Sequence, residues 1–146
     1  VFEKALEMRL IPWLDDCRSF RRNARLGDSV IDYLLEGDGE QVYLEVKSAV
    51  LRQGHYAMYP DCPSARGRRH IRELTQHVSE GGRAIILFIA ALPGVTAFKP
   101  NQSGDPELCD LLAEARKAGV ELRSIGMYYH PEDSYLYLSS PDLRVV

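Results

Sequence analysis

The sequence predicts an α/β domain with a mixed central β-sheet flanked by helices. Three observations carry this expectation. Two runs rich in β-formers flank a Gly-Asp-Gly turn inside "SVIDYLLEGDGEQVYLEVKSAV", residues 29–50. An uninterrupted apolar run, "AIILFIAAL" at 84–92, has the length and branching of a strand covered on both faces. Helical segments with recognisable caps lie between the strands. At 146 residues, 45% of them hydrophobic, the chain is long enough for one compact domain, expected to span 1–146.

Taken in order, Phe2, Ala5, Leu6 and Leu10 recur at helical spacing, and Pro12 ends the pattern, so a short amphipathic helix is expected over 2–10. An arginine-rich connection leads to the hairpin, with strands near 29–35 and 41–50 joined at "GDG". A loop with Pro60 and Pro63 follows. Ser64 stands as the N-cap of a helix whose buried face is Ile71, Leu74 and Val78, and Gly81 and Gly82 end it. A central strand covers 83–91, with "VTAF" at 95–98 as a short partner. Asp105 as cap, Pro106 at the first helical position and Gly119 as terminator frame a third helix. "VELRSIGMYY" and "YLYLSS" close the chain as strands.

Composition narrows the function classes. No apolar run approaches the ~20 residues that cross a bilayer, and no basic, apolar, small-residue leader opens the chain, so a cytoplasmic protein without a membrane partner is expected. Cys17, Cys62 and Cys109 are odd in number and lack CxxC spacing, which argues for plain thiols over a disulfide framework or a zinc site. The net charge of −3 hides a pattern: arginines gather in "CRSFRRNAR" at 17–25 and "ARGRRHIRE" at 65–73. Local field, not net charge, decides where a phosphate backbone settles. These groups are candidates for nucleic-acid contact, or else solvated faces paired with neighbouring acids.

The hairpin carries the sharpest signal, because Asp32, Glu45 and Lys47 interrupt its apolar runs. If the loop comprises Gly37 to Glu40, Glu36 pairs with Gln41 and Asp32 lies opposite Glu45. Opposed side chains share a face with Cβ atoms about 5 Å apart, and Lys47 points the same way as Glu45. Like charges facing each other destabilise a sheet, and a divalent cation bridging them is the simplest compensation. A loop of three or five residues would instead put the two carboxylates on opposite faces. A cross-strand ion pair on a solvated face is the plainer alternative.

Five segments in fixed order, "IDYLL", "YLEVKSAVL", "YPDCPSARGRRHIREL", "GGRAIILFIA" and "FKPN…DPEL", resemble the C-terminal part of the sugar fermentation stimulation protein family, SfsA. The resemblance implies a PD-(D/E)xK (restriction-endonuclease-like) core, DNA as partner, and absence of the oligonucleotide-binding-like barrel expected before this part. It casts Asp32 and Glu45 as metal carboxylates, with the Val46 carbonyl completing the shell for Mg²⁺ or Mn²⁺, and Lys47 as the motif lysine that positions water. Asp61, Arg66, Gly67 and His70 match a second block. Arg66 and His70 are four apart and share a helix face, suiting Arg66 to grip phosphate and His70 to donate to a leaving oxygen or pair with a carboxylate. Arg22, Arg25, Arg68 and Arg69 are further nucleic-acid-binding candidates. Two departures stand out: Val30 replaces an arginine of the family pattern, and Asn23 stands where a glutamate is expected. They motivate the competing reading, a non-catalytic DNA-binding or regulatory protein on a degenerate nuclease fold. Contact through the arginine groups would make DNA binding sequence-tolerant and strongly salt-dependent.

Overall fold

The structure, a computed structural model, describes all 146 residues. Helix α1 (Phe2–Glu7) and a 3-10 turn at Pro12–Leu14 precede strands β1 (Ser19–Leu26), β2 (Ser29–Gly37), β3 (Glu40–Ala49), β4 (Leu51–Gln53) and β5 (Tyr56–Tyr59). Helix α2 (Ala65–Ser79), strands β6 (Arg83–Ala90) and β7 (Ala97–Pro100), helix α3 (Pro106–Ala118) and strands β8 (Glu121–His130) and β9 (Tyr135–Val145) complete the chain. The strands form one mixed sheet in the order β1-β2-β3-β6-β8-β9-β7-β5-β4. Its centre is parallel, β3 with β6 and β6 with β8, while β1, β2 and the first part of β9 run antiparallel to their neighbours. No helix is long and apolar enough to cross a membrane.

Two apolar clusters cover the two faces. On one, α2 and α3 pack Ile71, Leu74, Leu108 and Leu112 against Ile86 and Phe88 of β6. On the other, α1 packs Phe2, Ala5 and Leu6 against Leu35, Leu44, Ile85 and Leu87. Because β6 presents residues to both clusters it is buried on both sides, as its unbroken apolar sequence requires.

The caps fall where the sequence places them. Ser64 Oγ accepts from Gly67 N at 2.9 Å, and Asp105 Oδ1 accepts from Leu108 N at 3.1 Å. The second Asp105 oxygen accepts from Ser64 N at 3.1 Å, so one carboxylate ties the two helix starts together. A Cβ on Gly67 would stand 2.9 Å from Ser64 Oγ and 3.1 Å from both Leu108 Cδ1 and Tyr59 Oη, which is why α2 begins on a bare backbone.

Five expectations are corrected. The first helix ends at Glu7 rather than residue 10: Arg9 adopts φ 55°, Leu10 N returns to Ala5 O at 2.9 Å, and Leu10 is left 43% exposed. The arginine-rich connection contains β1, an edge strand whose charges mask its alternation. The loop before Pro60 contains the β4–β5 hairpin. The partner strand begins at Ala97 and extends to Pro100, and β9 runs past Pro141 to Val145 to pair with β7.

Candidate metal centre

The hairpin of β2 and β3 turns on Asp38 and Gly39, with φ 51° and 79°. These positive values match the strand twist in a two-residue turn. The loop is thus shorter than the four residues assumed, but it keeps the same register. Gly37 pairs with Glu40, Glu36 with Gln41, and the ladder runs back to Tyr33 opposite Leu44. There it stops, one pair short of Asp32 and Glu45. In place of a backbone bond, Val46 N donates to Asp32 Oδ2 at 2.8 Å.

The break has a cause in β1. Asn23 has φ 53° and is skipped by the β1–β2 ladder, which resumes at Ala24 opposite Ile31. On either side of this point the faces exchange: Phe20, Tyr33 and Leu35 pack into the α1 cluster, whereas Leu26 and Ile31 pack into the α2 cluster. Residues an even number apart share a face of a regular strand. The paired strands therefore roll over at Asn23 and Asp32, which turns the Asp32 carboxylate toward the β3 backbone.

Glu45 lies beneath α2, only 3% exposed. Its Oε1 accepts from Lys47 Nζ at 3.1 Å, and His70 Nδ1 stands 3.1 Å from the same oxygen without completing a directional hydrogen bond. Oε2 is buried and has no partner. An unpaired buried carboxylate oxygen costs on the order of 1–3 kcal/mol or more, so it marks a position built for a donor or a cation. No group of three His, Cys, Asp or Glu side chains converges in the molecule, so a closed zinc-type cage is not formed. Asp32 is tied to the peptide that follows Glu45 on β3, so the hard-oxygen groups of Asp32, Glu45 and the Val46 carbonyl lie along one stretch of the strand.

A cleft of about 340 Å³ opens beside Asp32, lined also by Phe2, Arg22, Asn23, Tyr33 and Val46. On the α2 side, Tyr59 reaches over Gly67. Burial, and then the charges of Glu45, Asp61 and Asp105, push its phenol up to about 12. Nothing in the spacing singles Tyr59 out from the other tyrosines; its place comes from β5 packing beneath α2.

The arginine candidates divide. Arg68 is held by Glu107 and lies 3.3 Å from Asp105, a cross-link between α2 and α3, and Arg22 is held by Glu3. Arg25, Arg66 and Arg69 are exposed and have no acidic partner among the ion pairs of the molecule. Arg69 Nε donates to Ser29 Oγ at 3.3 Å, Arg25 pairs with Val30 across the β1–β2 ladder, and Arg66 lies one turn before Arg69. Arg66 and Arg69 therefore border the seam between β2 and α2, whereas Arg25, alternating with Leu26 and paired with the exposed Val30, points to the other face of the sheet. Asp61 is exposed and accepts from the Cys62 thiol at 3.9 Å.

A mixed α/β sheet with a buried Glu-x-Lys pair under a helix is thus the class that fold and site define. The family model described as "Sugar fermentation stimulation protein RE domain" matches residues 1–133. A sugar fermentation stimulation protein homolog of Pyrococcus furiosus is 51% identical over 93% of this chain and 59% of its own length. A homolog of Archaeoglobus fulgidus is 48% identical over 93% of this chain and 57% of its own. The solved structure of Pyrococcus furiosus SfsA in complex with Ca²⁺ superposes with a TM-score of 0.95 at 48% identity, covering 99% of this chain and 62% of that one. The chain belongs to the sugar fermentation stimulation protein family. It spans about three fifths of the length of these relatives.

Proposed function

We propose that this chain is a nuclease-like domain of the PD-(D/E)xK type that binds DNA without sequence preference and hydrolyses phosphodiesters with Mg²⁺ or Mn²⁺. The observation that carries the reading is the Glu45 carboxylate, buried with Lys47 on one oxygen and nothing on the other, with Asp32 tied to the next residue's amide. Asp32, Glu45 and the Val46 carbonyl would hold the ion. Once bound, it would supply charge neutralisation at the phosphate and a more acidic water. Lys47, tethered to Glu45, holds its ammonium at the site to orient that water. His70 stands against the Glu45 carboxylate, 3.1 Å from the oxygen that Lys47 also contacts. Arg66, Arg69 and Arg25 supply charge for the phosphate backbone. The Ca²⁺ complex of the related protein supports a hard-cation site in the family.

The test is calorimetric titration of Mn²⁺ into wild type and Asp32→Asn, with and without a short duplex. Binding in the wild type that the substitution removes is expected. Glu45→Ala should then abolish cleavage and keep most of the salt-sensitive DNA binding. Equal loss of both would make Glu45 structural.

A second reading, a non-catalytic DNA binder on the same fold, is favoured by one observation. Asp32 Oδ2 is already committed to Val46 N, and Asn23 beside it carries no charge. DNA affinity without any Mn²⁺ affinity would select it.

A further inference from the structure

The first turn of α1 reaches across to the cleft. Glu3 accepts from Arg22 Nε at 2.5 Å and from an Arg22 terminal nitrogen at 2.6 Å, and its Oε1 accepts from the Tyr33 hydroxyl at 3.0 Å. A planar anion gripped by both arms of a guanidinium and by a phenol is held as a phosphate would be. Arg22 and Tyr33 face each other across the β1–β2 ladder, one residue from Asn23 and Asp32, and both line the same cleft as Asp32. Tyr33 is bedded between Phe2 and Phe20, with ring centroids 5.3 and 5.7 Å away, so its hydroxyl is fixed by packing. Arg22 is not buried with Glu3: its side chain is 64% exposed against 25% for the glutamate, so the guanidinium is free to turn outward.

We propose that Arg22 and the Tyr33 hydroxyl form a seat for a backbone phosphate of bound nucleic acid, and that Glu3 fills this seat in the free chain as an internal surrogate. This rests on the reading above that the domain binds DNA. It adds a subsite on the α1 side of the sheet, across from Arg66 and Arg69, and a self-competition that lowers affinity until a phosphate displaces Glu3. No bond is made or broken; one anion replaces another on the same donors. Apparent affinity falls by the fraction of molecules in which the seat is already taken.

The experiment is fluorescence anisotropy of a labelled short duplex, with chelator present so that nothing is cleaved. It compares wild type, Glu3→Gln, Arg22→Ala and the double variant over a range of salt. Glu3→Gln should tighten binding about threefold to fivefold, the range of a surface ion pair, and steepen the salt dependence by about one phosphate contact. In the Arg22→Ala background that gain should vanish. A gain of equal size without Arg22 would show only the removal of a negative charge, and would overturn the proposal, as would no gain. Glu3→Asp keeps the charge but retracts it by one methylene. It should also tighten binding in an Arg22-dependent way, and it serves if the glutamine variant does not fold. If no version binds the duplex, pyrophosphate titrated into Glu3→Gln and into the double variant separates the two ideas. Arg22-dependent pyrophosphate binding keeps the seat while the DNA reading falls; its absence removes both.

Discussion

At the scale of single residues, two buried carboxylates show opposite solutions to the same cost. Asp105 is fully satisfied. Burial pushes its pKa up, but the Ser64 and Leu108 amides and the Arg68 charge outweigh that and hold it below the ordinary carboxylate value. Asp105→Ala should therefore cost about 2 kcal/mol in chemical denaturation, since it removes a helix cap and strands the Ser64 amide. The sign with pH follows. A depressed folded pKa contributes stability that is fully present above the unfolded carboxylate value and is lost as pH falls through the folded one. The stability gap between wild type and Asp105→Asn should be full above about pH 4 and close below it. Glu45 is the other case, incompletely satisfied at Oε2, and it sits where the proposed chemistry lies. Cap residues are legible because they act within one turn of their own helix. A carboxylate partner for His70 is legible from the resemblance, but that the partner is Glu45 is settled only by how α2 lies over β3.

At the scale of elements, β1 and the β2–β3 hairpin make an instructive contrast. The hairpin register was readable because Asp38 and Gly39 form a turn whose geometry is set locally, and the pairing of Glu36 with Gln41 is the one the turn implies. β1 was not readable. Its sequence "SFRRNARL" has the adjacent Arg21 and Arg22 exposed on opposite faces, and its burial on one face is partial. The left-handed Asn23 within it is a strained conformation for any residue with a Cβ, and strain of this kind is retained where a site needs it. Asn23→Ala should cost about 1–2 kcal/mol, because alanine has no polar side chain to compensate left-handed backbone. Asn23→Gly should cost less on the same denaturation curves. If the two cost the same, the backbone angle is not what the asparagine serves.

At the scale of the whole molecule, β9 joins the six-stranded layer to the short β7-β5-β4 ribbon, and the joint is packed by stacked Phe88 and Phe98, 3.9 Å between centroids. Both rings are fully buried. Phe98→Ala should cost about 3–5 kcal/mol and lower the melting temperature, since the cavity opens where the ribbon packs on the larger layer and leaves Tyr59 on Phe88 as the remaining aromatic contact there. The sequence by itself determined the alternation of helices and strands, the caps, the doubly buried central strand, and the hairpin that carries Asp32, Glu45 and Lys47. Each of these depends on periods and turn chemistry acting over a few residues. Only the tertiary structure decided which arginines are free and which are paired, that the strands roll over at Asn23 and Asp32, which carboxylate His70 meets, and that Tyr59 and Glu3 lie where they do. Those outcomes depend on which distant elements lie side by side, and a pairing across the fold leaves no period in the chain.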